Sequence, residues 1–378
     1  SFYIGPLRHA TAQQDHHGET RTMPHLKFSG PFGPRLRSFL TLNAIALQVG
    51  LRHLAGRRIA PDWDWSTEVG IRFWRHQIKV AMGQADIREG RALFDSLLTE
   101  TDDIYDVTVE VSDTPRGLWI TPRKLRTPVT ALYFHGGGYS FNGPVSERFA
   151  AMLAHHTGAR LFMPQYRLTP EHPHPAQAED ALAAWRYVSA ERPAQNIAVI
   201  GDSAGGHMAL TLLQTLKNAG GEQPGICIAI CPWTDIGARG DSMTRNDRYD
   251  LVQGWMAVTF GTWLDPEGRF GRAALSPISH DFSRLAPLYL LAGGREVLRD
   301  MILDFAQVQA WNGADVLLDL WPDMPHNFPA YDSSKPASTQ ALARLRAAVL
   351  SCAPGGEPLG PVPDVTQIAA GRFAPDRR

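Results

Sequence analysis

The sequence predicts an α/β fold, a mostly parallel sheet with helices on both faces. Two observations carry this. Short apolar runs recur at 129–134, 160–166, 197–200, 226–231, 288–292 and 315–321, and helical patterns separate most of them, at 176–190, 203–219, 297–312 and 336–350. Several of these runs end in small-residue turns, where open α/β sheets place their chemistry.

In chain order, residues 1–34 are polar, contain Pro and Gly and carry His9, His16, His17 and His25; they predict a loose arm. Residues 35–56 predict a helix, with Leu36, Leu40, Leu47, Leu51 and Leu54 at near-helical spacing and arginines at 35, 37, 52, 57 and 58. Such a helix packs on the body or on a second copy; lying on a membrane surface is the minority alternative. Helical patterns continue over 66–99. Strand patterns at 104–111 and 116–122 flank the turn 112–115 and predict a mixed sheet edge. The Pro/Gly-rich tail 353–378 predicts irregular structure.

Composition narrows the class. The 378 residues are 44% hydrophobic and 20% charged, enough for a large core. A net charge of −1 without a basic stripe argues against nucleic-acid binding. Cys227 and Cys231 lie four residues apart in one predicted strand, roughly 13 Å, too far for a disulfide. No C-x-x-C spacing suggests zinc, so no metal or other cofactor is expected. The longest uncharged apolar-leaning stretch, 38–51, is too short to span a bilayer, which needs about 20 residues. With no secretory leader at the start of the sequence as given, the expectation is a soluble cytoplasmic protein with no stable membrane insertion.

Four strand-end loops carry candidate chemistry. After 129–134 comes 135-HGGGYS-140, whose bare amides suit a developing oxyanion better than a plain flexible turn. After 197–200 comes 201-GDSAGG-206. Ser203 there reads either as a helix N-cap or as a nucleophile on a strained strand-to-helix elbow. After 288–292 comes 293-GGREVLRD-300, with Glu296 early in the loop and Asp300 a turn later. Glu296 is the better-placed acid, Asp300 the alternative. After 315–321 comes 322-PDMPHNF-328, with His326 as the last loop histidine. Ser203, Glu296 and His326 follow the order nucleophile, acid, base.

Together with 165-QYRLTPEHPHPAQAED-180 and 231-CPWTD-235, these motifs resemble the hormone-sensitive-lipase-like α/β hydrolases, over about residues 104–350. The resemblance implies an eight-stranded, mostly parallel sheet with its second strand antiparallel. It implies a helical cap built from about 35–100 plus an insertion at about 236–275, on a catalytic domain spanning 101–352. It implies Ser203 as nucleophile, His326 as general base, Glu296 where the family more often has Asp, and the amides of Gly136, Gly137 and Ala204 as oxyanion donors. Tyr139, Trp74 and Trp233 are candidates for the substrate pocket, and Trp63, Trp65 and Phe73 for the cap lining; ordinary packing is the competing account of each.

The activity implied is a serine carboxylesterase for short- to medium-chain or aromatic esters. An acyltransferase, amidase or deacetylase could use the same site, because cap closure decides whether water reaches the acyl-enzyme. A non-catalytic binding protein is the remaining alternative. The expected partner is a small-molecule ester, with homodimerisation an option.

Overall fold

A computed structural model describes residues 26–28, 30–99, 105–330, 335–357, 359–360 and 365–374. Most of the predicted arm, residues 1–25, lies outside these. Its end forms β1 (Leu26–Phe28), which pairs antiparallel with β2 (Leu97–Thr99).

The main sheet holds β3 (Val107–Asp113), β4 (Arg116–Pro122), β5 (Thr130–Phe134), β6 (Arg160–Pro164), β7 (Ile197–Asp202), β8 (Ile226–Ile230), β9 (Leu288–Gly293), β10 (Val316–Trp321) and β11 (Thr366–Ala370). Its order is β11-β10-β9-β8-β7-β5-β6-β4-β3. Strands β5 to β10 run parallel, and β4 is antiparallel to both β3 and β6. The sheet therefore has nine strands, not the eight expected. The extra one comes from the tail expected to be irregular: β11 pairs antiparallel with β10, placing Ala370 opposite Val316 and Thr366 opposite Leu320. Pairing gives the exposed edge of β10 a partner.

Strands β5, β7, β8 and β9 are buried at every residue, which is why they read as unbroken apolar runs. Alternate residues feed two cores. Leu132, Phe134, Ile197 and Val199 face α5 (Ala176–Ser189), α6 (Ala204–Asn218) and α10 (Arg299–Trp311). Ala131, Tyr133, Ala198 and Ile200 face α4 (Pro144–Thr157) and α11 (Pro336–Ser351).

The expected cap segments are helical. The first holds α1 (Phe32–Leu54), α2 (Trp65–Met82) and α3 (Ile87–Phe94); the second holds α7 (Ser242–Arg245), α8 (Gly254–Leu264) and α9 (Arg272–Leu275). Asp64 caps α2 by accepting from the Thr67 amide, and Asp86 caps α3 by accepting from Arg88. The two segments are tied together. The Arg75 guanidinium of α2 donates to the carbonyls of Asp247 and Asp250 and pairs with the Asp247 carboxylate. Among the described residues no helix is long and apolar enough to cross a membrane.

Chain order reverses at β5: β6 lies on one side of it and β7 on the other. The loops leaving β5 and β7 therefore sit side by side, in the position where open α/β sheets bind ligands.

Candidate active site

Between β7 and α6, Ser203 holds φ 54° and ψ −118°, a conformation that costs a non-glycine residue about 1–3 kcal/mol. The turn is possible because its neighbours are small. A Cβ on Gly201 would meet the Gly205 carbonyl oxygen at 2.1 Å, and one on Gly205 would meet the Phe134 carbonyl oxygen at 2.0 Å. The Ser203 amide donates to Ile230 O at 2.9 Å, and the Ser203 carbonyl accepts from His207 and Trp233. Although Ser203 occupies the N-cap position of α6, its hydroxyl makes no cap bond. The residue is half-buried between buried Asp202 and Ala204. A strained serine that does not cap its helix is accounted for by the elbow and not by capping.

Asp202, which the sequence reading passed over, joins three loops. It accepts from Tyr133 Oη at 2.6 Å, from the Gly136 amide at 2.8 Å and from Asn327 Nδ2 at 2.5 Å. Burial pushes its carboxyl above the usual range, and these donors pull the other way. Its place beside Ser203 in the elbow was the one available signal.

The same bond corrects an expected role. With its N–H on Asp202 Oδ1, Gly136 is not free to serve as an oxyanion donor. No acceptor among the described residues engages the amides of Gly137 (φ 98°), Gly138 (φ 61°) or Ala204 at the start of α6. Gly138 lies under Phe260, whose ring a Cβ would meet at 2.5 Å. That ring belongs to an aromatic row through Phe141, Phe94 and Trp74, with centroids 6.3, 5.1 and 5.4 Å apart.

After β9 and β10 the structure brings Glu296 and His326 together. His326 Nδ1 donates to Glu296 Oε2 at 2.7 Å, and Glu296 Oε1 accepts from the Gly293 amide, also at 2.7 Å. Glu296 is 0% exposed and His326 2%. Burial would drive the imidazole pKa down. The hydrogen bond and charge of Glu296, then the charges of Asp250 and Asp202, outweigh it and leave the ring above its usual value. Asp300 is placed elsewhere, on α10, where it pairs with Arg299 and accepts from the Ser242 amide.

A second buried carboxylate holds this pair. Asp250 Oδ1 accepts from the amides of Leu251 (2.8 Å) and His326 (3.2 Å), and Oδ2 accepts from Val297 (2.7 Å). Burial, with the Glu296 charge adding, pushes its carboxyl up to about 7 against these donors and the His326 charge. Asn246 Nδ2 donates to the carbonyls of Gly294 and Glu296, and Ser242 Oγ donates to that of Val297. Ser242, Asn246 and Asp250, four residues apart, thus grip the backbone of the acid loop. The sequence offered no signal for Asp250 beyond its being an acid in the second helical segment.

The other pocket candidates make contacts with neighbouring side chains and backbone. Tyr139 Oη donates to His207 Nδ1 at 2.6 Å, and His207 Nε2–H donates to Leu275 O at 2.6 Å; burial lowers that imidazole pKa to about 4, so it stays neutral. Trp233 packs on the same ring with centroids 5.6 Å apart, whereas Trp74 belongs to the aromatic row above. Trp63 Nε1 donates to Asp323 O at 2.9 Å and ties the first helical segment to the loop that carries His326. Trp65 Nε1 donates to Ala46 O, and Phe73 is buried.

One set of metal-ligand types comes together: atoms of Cys231, Glu296 and His326 lie within 4.8 Å of one another. Both Glu296 oxygens already accept hydrogen bonds. Burial, reinforced by Glu296, holds the Cys231 thiol well above its ordinary range, so a thiolate ligand is not at hand. The set is a hydrogen-bonded His326–Glu296 pair with a thiol beside it.

Comparison with known proteins agrees with this geometry. Residues 131–330, more than half of the chain, match the family described as the alpha/beta hydrolase fold. An acetyl-hydrolase of Streptomyces hygroscopicus is 33% identical over 233 residues, covering 59% of this chain and 76% of its own. A versiconal hemiacetal acetate esterase of Emericella nidulans is 30% identical over 236 residues, covering 59% and 82%. The crystal structure of an esterase from the bacterial hormone-sensitive lipase family superposes with a TM-score of 0.63 at 26% identity, covering 82% of this chain and 97% of that one. The chain belongs to the α/β-hydrolase fold family and, within it, to the hormone-sensitive-lipase-like carboxylic ester hydrolases.

Proposed function

We propose that the chain is a serine carboxylesterase for short- to medium-chain or aromatic esters, with Ser203, His326 and Glu296 as its triad. The observation that carries this is the buried His326–Glu296 pair at 2.7 Å. Because Nδ1–H points at Glu296, Nε2 is left as the lone-pair base. It takes the Ser203 proton as Oγ attacks the ester carbonyl. The amides of Gly137, Gly138 and Ala204 stabilise the oxyanion, each worth about 3–4 kcal/mol if well aimed. Collapse expels the alcohol, protonated by His326, and leaves an acyl-Ser203 ester. Water, deprotonated by the same imidazole, then releases the acid.

The names of the acetyl-hydrolase and acetate-esterase relatives support a short acyl group, as does the Phe260 ring closing over Gly138. Cys227, Cys231 and Cys352 are unpaired, which supports a reducing compartment such as the cytoplasm.

A series of p-nitrophenyl esters from acetyl to palmitoyl, run beside Ser203→Ala, tests the reading. Turnover falling off with chain length and absent in the variant is the expected result. A wild type that is silent on every ester and unlabelled by a fluorophosphonate would sink it.

A further inference from the structure

Helix α1 turns an apolar stripe outward. At 3.6 residues per turn, Phe32, Leu36, Leu40, Leu47, Leu51 and Leu54 fall within an arc of about 100°. All six side chains are exposed, between 42% and 88%. The opposite side, which meets the body, buries Val49 and also carries polar contacts. Buried Ser38 bonds Ser96 Oγ and Gln77 Nε2, both at 2.6 Å, and His53 pairs with buried Glu68 at 2.8 Å. Val49 and these polar contacts hold the helix to the body and leave the six-residue apolar stripe outside. An apolar stripe of this size on a soluble surface marks a docking site.

Charge identifies the occupant. Arg35 and Arg37 flank the stripe at one end and Arg57 and Arg58 follow it at the other, and no Asp or Glu occurs between Phe32 and Pro61. Arg37, Arg57 and Arg58 are exposed. Two copies meeting antiparallel would set Arg35 and Arg37 of one against Arg57 and Arg58 of the other. A parallel pairing would set like on like, and in neither does α1 itself offer an acid to pair them. An apolar stripe bordered by unopposed arginines is complementary to apolar chains beneath anionic headgroups. We infer that α1 is an interfacial helix that lays this stripe on an anionic lipid surface. It lies in the plane of the surface and does not cross it.

Flotation with vesicles of phosphatidylcholine plus phosphatidylglycerol, and of phosphatidylcholine alone, tests this, with light scattering in solution alongside. The wild type is expected to float with the anionic vesicles and to lose binding in high salt. Leu47→Glu/Leu51→Glu is expected to weaken partitioning by about 10-fold or more. Arg37→Glu/Arg57→Glu/Arg58→Glu is expected to abolish the preference for anionic vesicles. Because all these positions are exposed, thermal melting and ester turnover should not change. Absence of flotation overturns the inference whether the protein is monomeric or forms a dimer that Leu47→Glu/Leu51→Glu splits; the latter result assigns the stripe to a second copy. Flotation that both variants retain overturns it as well.

Discussion

Glu296→Gln is nearly isosteric, yet the site has no place for an amide. Glu296 presents two acceptors, one to the Gly293 N–H and one to the His326 Nδ1–H, each at 2.7 Å. Glutamine offers one acceptor and one donor. If its oxygen keeps His326, its NH₂ faces the Gly293 N–H in a buried site, and two unmatched donors there cost about 1–3 kcal/mol. If its oxygen keeps Gly293, its NH₂ donates to Nδ1. The ring then carries its proton on Nε2 and cannot accept one from Ser203. The imidazolium also loses its countercharge. The expected loss in kcat is about 1,000- to 10,000-fold, or roughly 4–5.5 kcal/mol of barrier. Steady-state turnover of p-nitrophenyl acetate measures it, with the fluorophosphonate labelling rate of Ser203 as a check independent of deacylation. Retention of a tenth or more of the wild-type kcat, at most about a tenfold loss and so only about 1.4 kcal/mol of barrier, would refute the assignment of Glu296. Full loss in Asp250→Asn with Glu296→Gln still active would reassign the acid to Asp250.

Two further outcomes follow from the same contacts. The ionised form of the Asp250 carboxyl, itself pushed up to about 7, helps hold His326 above its usual pKa, so Asp250→Asn lowers the imidazole pKa. Neutral imidazole is the active form and activity is lost as pH falls through that pKa. The acid limb of the kcat/KM profile should therefore move to lower pH while kcat at the plateau drops; an unmoved limb would reduce Asp250 to a purely structural bond. Gly138→Ala sets a Cβ against the Phe260 ring at a φ of 61°, so the loop must shift and its amides lose their aim. The expected kcat loss is about 100-fold, and adding Phe260→Ala should restore part of it; a fully active single variant would remove Gly138 from the oxyanion set.

How much of this was legible in the sequence differs from element to element. Strands β5 and β7 to β9 are buried on both faces, so they appear as continuous apolar runs whatever their neighbours are. The Ser203 elbow was legible because its small residues answer to local geometry: Gly201 and Gly205 sit where any Cβ would strike backbone. The order of Ser203, Glu296 and His326 followed from which strand ends carry them. Strand β11 was not legible, because its five residues form a strand only by pairing with β10, far away in sequence.

By itself, then, the sequence determined the α/β architecture, the elbow and the candidate acid and base, since each depends on short-range pattern and on strand order. Tertiary structure alone decided where the hydrogen bonds go. The Gly136 amide is withdrawn from the oxyanion set by Asp202, 66 residues away, and Asp250 reaches His326 across 76 residues. Tyr139 and Trp233 turn out to pack around His207. A buried donor or acceptor must find a partner, and which partner it finds depends on how distant loops close over the sheet.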